Sequence, residues 1–479
     1  MSRPFSAFRA NVREHRASIL VSALSSAFGV ALLASTGVLA AYIARSDFGE
    51  HGSVLIALSV VAVIFFIIAV YVGAIVTTNT FATIIAGRTR TIALLRLIGS
   101  SAKAQRRAVA NEGFAVGVIG ALVGGAIAAV LALAAVRVLT ATGTLPDAPY
   151  PVLTPWMLAP LAIVVLTTWL ASWVGSRRVL TVTPVQALGA AEERPATALR
   201  SSRGRTTVAF TLIGVGVLML LTGLLLGLGV FTDLVGSFSS YGVLVALPGG
   251  VLSFTGIVLA APLFMPAVLR GVGLLFGRGT AARLAAENAV RHPERSSRTT
   301  IGLVIGVTLI TMFVVASQTY LQMIQQAQRN EPEMYAGVES ILAVTTGVFA
   351  ALIGFSAIIA AVGVINSLSL SVLQRRRELG LLRALGFSAR QVRRMILAES
   401  AQLTVAAIIT GLVLGTGYGW IGAQSLLGGI PGGGLLPPAI PSLFVVFVVV
   451  AAALLAVLAS IAPTRRATAV APVAALAVD

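Results

Sequence analysis

Residues 375–400 read RRRELGLLRALGFSARQVRRMILAES, seven arginines in one short stretch with long apolar runs on both sides. Their placement decides the class of the chain. The 479 residues are 57% hydrophobic and 10% charged, with a mean hydropathy of +0.97, far more apolar than a water-soluble domain. The sequence predicts an all-α integral membrane protein. A formal net charge of +18 invites a nucleic-acid reading, but the basic residues flank apolar runs instead of covering a polar domain, which argues against nucleic acid as a partner. With no cysteine there is no disulfide, thiol or Cys-ligated metal chemistry. His15, His51 and His292 are scattered near span boundaries, where solvated loop residues are expected and metal ligands are not.

About 20 apolar residues cross a bilayer, so uncharged runs mark the spans. There are 28 such residues between Arg16 and Arg45, 24 between Glu112 and Arg137, and 29 between Asp147 and Arg177. The runs 52–87, 206–232, 234–269, 299–328 and 340–374 supply one span each. The 65 uncharged residues from Ser400 to Thr464 are broken by GGIPGGGLLPPAIP into two. The expectation is ten transmembrane helices, with both termini on the same side. The polar opening MSRPFSAFRANVREHRAS does not fit a cleaved signal peptide.

Lys and Arg gather in cytoplasmic loops. If the chain starts inside, only Arg45, Arg137 and Arg329 of its 34 basic residues fall outside. The acidic residues divide 9 to 7, so the bias belongs to Lys and Arg. This predicts a multi-pass protein with cytoplasmic N- and C-termini, and it makes the opening stretch a cytoplasmic loop.

Topology alone does not explain a second copy. Shifted by 287 residues, RTIALLRLIGSSAKAQRRAVANE (90–112) lies over RELGLLRALGFSARQVRRMILAE (377–399) with 10 identities in 23 positions. Shifted by 288, RRVLTVTPVQAL (177–188) lies over RRATAVAPVAAL (465–476) with 7 in 12. The expected organisation is a four-span repeat at 1–190, a two-span insert at 191–280 and a second four-span repeat at 281–479. Six intervening helices make the two four-helix repeats parallel, related by an axis along the membrane normal.

Each copy follows an uncharged run of 36 or 35 residues, longer than the hydrocarbon requires, so part of each run is expected to project into the cytoplasm as a stalk. Gly386 then reads as a helix stop, and Ser388 with Gln391 three residues on reads as a capping box opening a short new helix at 388–399. Gly99 and Ser101 repeat the stop and the cap, with Ala104 at the third position. The short helix places Val392, Met395 and Ile396 on one side and Arg390, Arg393 and Arg394 around the other. A headgroup-lying amphipathic helix would account for one copy; two equivalent copies point to two equivalent partners.

The run RELGLLRALG, the Ser-x-x-Gln helix ending in Glu399 and the closing PTRRATAVAPVAAL resemble the FtsX/MacB-like (type VII) ABC permease family, most closely its BceB-like ten-span branch. The resemblance implies a bacterial cell-membrane permease docking on two copies of an ABC ATPase subunit. It implies mechanical transmission of ATP-driven motion, acting on a hydrophobic or amphipathic substrate such as a peptide antibiotic, lipid or lipoprotein-like molecule, with membrane lipid and an accessory envelope protein as further partners. The implied coupling residues of the first copy are Arg96, Gly99, Ser101, Arg106, Arg107 and Glu112. Those of the second are Arg383, Leu385, Gly386, Ser388, Gln391, Val392, Arg393, Arg394, Ile396 and Glu399, with Leu385, Val392 and Ile396 as apolar contacts. Family members with a large extracytoplasmic domain differ from this chain, whose segment 319–340 is expected at most to form a short helical pair over the outer mouth.

A phosphate loop needs Gly-Lys-Ser/Thr, and the only lysine, Lys103, follows Ala102. The chain is therefore expected to be no enzyme and to hold no cofactor, metal site or catalytic residue; ATP and magnesium belong to the partner ATPase. Two other readings stand beside this one. An ATP-driven regulator of an envelope enzyme or sensor needs the same docking. An ion-coupled secondary transporter needs titratable mid-span groups, and the spans show none.

Overall fold

The computed structural model describes residues 16–43, 98–143, 145–177, 203–231, 242–275, 293–333, 386–431 and 434–451, with scattered positions within 63–95, 342–361 and 453–454. The chain divides into two compact units, Met1–Glu192 and Glu193–Asp479.

In the first unit, α1 (Arg16–Ile43), α2 (Ala102–Ala141) and α3 (Leu158–Gly175, entered through a 3-10 turn at Pro155–Met157) pack with α2 touching both neighbours. Lipid offers no hydrophobic drive between helices, so association depends on close backbone approach and hydroxyl bonds. Both occur here. A side chain at Gly124 would run into the backbone of Ala23, and one at Gly113 into Ser172. Ser26 Oγ donates to the Ala121 carbonyl at 2.9 Å, and the hydroxyls of Ser22 and Thr168 meet at 3.1 Å.

The second unit holds α4 (Arg203–Gly227), α5 (Gly242–Leu275), α6 (Pro293–Asn330), α7 (Ala389–Leu427) and the short apolar α8 (Ser442–Ala451). Its core runs along α6, 78% of whose most apolar stretch is buried, against 22% for α4. Gly415 lets α7 close on Thr311 of α6. Prolines 248, 262 and 266 lie inside α5, each removing one backbone donor from the helix without ending it. Three neighbours send side-chain donors to α5 carbonyls: Arg205 to Leu259 at 3.1 Å, Ser297 to Ala261 at 3.4 Å and Gln402 to Leu269 at 2.7 Å. The insert helix α5 is thereby built into the second unit as packed structure.

Seven helices among the described residues are long and apolar enough to cross a membrane. They match seven of the predicted spans. The runs 52–87 and 340–374 and the last span, whose described start is α8, lie largely outside the described residues, although their described positions 63–81 and 342–361 are mostly helical. The predicted break falls where expected, because α7 ends at Leu427 and α8 begins at Ser442.

Two expectations are corrected. Residues 319–330 do not form a separate short helix of a pair: α6 continues unbroken to Asn330, since QTYLQMIQQAQRN has no glycine or proline to stop it, and 334–340 lie outside the described residues. Nor is 388–399 a short independent helix. It forms the first turns of α7, 39 residues and about 58 Å long, nearly twice the roughly 30 Å hydrocarbon. The same holds for α2, 40 residues long. No breaker separates the arginine-rich turns from the apolar ones, so one helix runs through both.

Candidate functional site

Each of the two arginine-rich motifs folds into an elbow, a left-handed glycine two residues ahead of a capped helix start. In the first, the chain arrives as helix at Leu94 and Leu95, and Ile98 N–H still bonds to Leu94 at 3.2 Å. Gly99 then takes φ +103°, and Ser100 N–H reaches back to the Leu95 carbonyl at 2.9 Å. That closing bond defines a Schellman stop, and the left-handed residue within it favours glycine because no Cβ is present. Ser101 reopens the chain as the N-cap of α2, extended at φ −76° and ψ 150°, its hydroxyl accepting from Ala104 N–H at 3.1 Å.

The second elbow repeats the backbone. Gly386 has φ +97°, and Ser388 is the N-cap of α7 at φ −69° and ψ 152°. Here the capping box is complete, with Gln391 N–H donating to Ser388 Oγ at 3.2 Å and Ser388 N–H donating to Gln391 Oε1 at 2.8 Å. Two orphan donors of the helix start are satisfied at once. In the first elbow Ala104 can accept nothing, so only one is.

The residue before each cap and the fourth of each helix also meet. In the second elbow these are Phe387 and Val392, and Phe387 packs on the buried cluster of Val392, Met395 and Ile396 as a hydrophobic staple. In the first they are Ser100 and Gln105, and Gln105 Nε2 donates to Ser100 Oγ at 2.8 Å. A polar bond stands where the other copy has an apolar contact.

These contacts revise the predicted roles. Val392 and Ile396, expected as apolar contacts for a partner, are 0% and 3% exposed and already packed within the chain. What the second elbow presents outward is polar: Arg390, Gln391, Arg393 and Arg394 are exposed. Arg107 is exposed in the first elbow, but Arg106 is drawn inward. Its guanidinium lies 3.8 Å from the centroid of the Trp173 ring on α3, and its Nη2 donates to the Trp173 carbonyl at 3.2 Å. Glu112 is half-buried and Glu399 buried. Arg96, Arg383 and Leu385 lie outside the described residues, as do the approach to the second elbow at 362–385 and the paired stretches 178–188 and 465–476.

Sequence reasoning missed Phe387, Ser100, Gln105 and Trp173. The first three were readable, because positions flanking an N-cap at this spacing are the staple positions. Trp173 was not, since 67 residues separate it from Arg106.

The FtsX-like permease C-terminal family matches the chain twice, at residues 63–184 and 350–472, and each match contains one elbow. The starts of the two matches are 287 residues apart, the shift that superposes the motifs. The chain is similar to the uncharacterized ABC transporter permease YknZ of Bacillus subtilis (strain 168), 35% identical over 21% of this chain and 25% of the relative. It is also similar to the ABC transporter permease YtrF of the same organism, 29% identical over 23% of this chain and 27% of the relative. An uncharacterized ABC transporter permease of Methanocaldococcus jannaschii is 36% identical over 16% and 20% respectively. The matched stretch thus spans about a quarter or less of each relative's length.

Proposed function

Because the chain belongs to the FtsX-like permease family, we propose that it is the membrane subunit of an ABC transporter, driven by two copies of a separate ATPase that dock on the elbows at 98–112 and 386–399. The observation that carries this reading is the duplicated elbow. Each family match contains a left-handed glycine, a serine N-cap and exposed arginine at the start of a helix of 39 or 40 residues. A push at such a helix start travels along a continuous rod into the membrane. The N- and C-termini lie in the cytoplasm, ten helices span the membrane as two parallel four-helix repeats joined by a two-helix insert, and ATP and magnesium stay on the ATPase.

The substrate class we propose is hydrophobic or amphipathic, as the family resemblance implies, and the surface is compatible with it. Leu122, Val130, Leu218 and Val413 are among many apolar side chains left exposed on the spans, a surface suited to a hydrophobic or amphipathic substrate drawn from the bilayer. Mechanical transmission across the membrane serves that work.

Co-purification tests the reading. The tagged full chain should bring down an ABC ATPase at two copies per chain and stimulate its hydrolysis in proteoliposomes; no bound ATPase would overturn it. Stimulated hydrolysis without altered susceptibility to envelope-active compounds would favour the regulator over the transporter. For the topology, Asn330→Cys should react with an impermeant thiol reagent from outside intact cells and Ser202→Cys should not.

A further inference from the structure

The first elbow is fastened to the wall of its own unit in a way the docking role does not require. Arg106 stacks on Trp173 at 3.8 Å and donates to that residue's carbonyl at 3.2 Å, while its Nε is buried with no hydrogen-bond partner. A guanidinium lying over an indole face keeps its in-plane N–H groups free for acceptors at the ring's edge. The acceptor here is a carbonyl of the last turn of α3, where backbone acceptors lack intrahelical donors and the helix dipole favours a cation. Ser176 Oγ donates to the same carbonyl at 2.8 Å, so both of its lone pairs are used.

Beyond Arg106 the same two helices stay in register. Going up α2, Gly113 closes on Ser172, Gly117 on Thr168 and Val165, and Gly125 on Leu161. A close-packed seam of glycines on α2 against Ser172, Thr168, Val165 and Leu161 of α3 transmits displacement, because helices packed at this density cannot slide independently. The second elbow differs at the equivalent positions. Arg393, 287 residues on from Arg106, is exposed, and the shift of 288 that pairs 177–188 with 465–476 puts Ile461 where the first repeat has Trp173.

Resting on the permease reading above, we propose that Arg106 and Trp173 form a joint that transmits movement of the first elbow to the cytoplasmic end of α3. Arg106 is then a positioning residue and not a docking contact, and the two elbows are mechanically unequal. The exposed Arg393 is the docking side of the same sequence position.

The test uses the full chain in nanodiscs with its four tryptophans replaced by 5-fluorotryptophan, the Trp173 fluorine line being assigned by its loss in Trp173→Phe. In the chain alone, Arg106→Ala should shift that line and Arg393→Ala should not. In the complex with the ATPase that co-purifies with the wild-type chain, the Trp173 line should move between the nucleotide-free and vanadate-trapped states. Arg106→Ala should abolish that movement while the ATPase stays bound; Arg393→Ala should weaken ATPase binding. Arg106→Lys, which keeps a cation over the ring, should restore part of the movement, and it serves as the measurable variant should Arg106→Ala fail to fold. A Trp173 line indifferent to Arg106 in the chain alone overturns the joint. So does loss of ATPase binding in Arg106→Ala equal to that in Arg393→Ala. If the wild-type chain binds no ABC ATPase, the permease reading fails on its own, while the measurement on the isolated chain still decides whether Arg106 holds Trp173.

Discussion

The elbows at 98–112 and 386–399 share one backbone and brace it differently. Both have a glycine near φ +100° followed two residues later by an extended serine cap. Around that backbone, the second elbow uses a complete capping box and an apolar staple of Phe387 on Val392. The first uses a one-sided cap, a hydrogen bond between Gln105 and Ser100, and the reach of Arg106 to α3. The difference separates what the turn requires from what merely steadies it. A left-handed φ has one low-cost occupant and an N-cap few, whereas a brace can be polar or apolar if the spacing is kept. The second elbow is stiffened by its own residues, the first by the unit it belongs to.

The largest effect should come from what the two elbows share. A β-branched residue at Gly386 or Gly99 meets a left-handed backbone at a cost of about 1–2 kcal/mol, and the chain relieves it by re-aiming the helix that follows. Gly386→Val and Gly99→Val should therefore each cut stimulated ATP hydrolysis by well over half in proteoliposomes, with the chain still inserted, because both sites serve one mechanical cycle. Full stimulation in either variant would break the equivalence of the elbows at its base.

A swap of braces comes next. Val392→Gln places an amide in a site that is 0% exposed, at a cost of about 1–3 kcal/mol if it finds no partner there. Gln105→Val loses one hydrogen bond at a half-buried position and should stay within about 1 kcal/mol. Hydrogen exchange over the first turns of α7 and of α2 measures both. Equal effects would mean that the apolar cluster around Val392 contributes no more than the polar bond does.

The anchoring of α7 can be tested in the same spirit. Gln402 donates to the Leu269 carbonyl of α5 at 2.7 Å, and the 287-residue shift places exposed Ala115 at its counterpart in α2. Gln402→Leu should cost about 0.6–1 kcal/mol, the usual size of an interhelical hydrogen bond within a membrane, read as lowered thermal stability of the chain in nanodiscs. Ala115→Leu, on an exposed face, should leave it unchanged.

Much of this was legible in the residues because it is local. Gly99 as a stop, Gly386 as a left-handed turn residue, Ser101 and Ser388 as caps, Gln391 as the box partner and the break after Leu427 all depend on neighbours within five residues, whose chemistry the sequence displays. The boundary between amphipathic and apolar turns was misread because a change of composition resembles a change of element; only a breaker ends a helix, and α2 and α7 have none there. The direction of the apolar side was legible and its partner was not. Val392 and Ile396 do face something, but it lies within their own chain. The joint of Arg106 with Trp173 was hidden for the reason any tertiary contact is: nothing at either position records the other.

The smallest expected effect completes the comparison. Ala104 is the only position where the first elbow departs from the capping box of the second, since the glycine, the serine and the spacing are all present. Ala104→Gln supplies the missing acceptor, and in the second elbow the same side chain reaches the cap N–H at 2.8 Å without any change in φ or ψ outside the common range. Position 104 is exposed, so the glutamine displaces no packed neighbour, and its helix propensity is slightly below that of alanine. One added hydrogen bond at an exposed helix start, less that small propensity loss and the ordering of one side chain, leaves a gain of about 0.5 kcal/mol. Exchange of the amides at 101–104 should slow about twofold, and no other region should respond. A larger gain would show that the first elbow is limited by its cap and not steadied by α3. No gain would mean that Gln105, already bonded to Ser100, holds the cap residue in an orientation that the new side chain cannot reach.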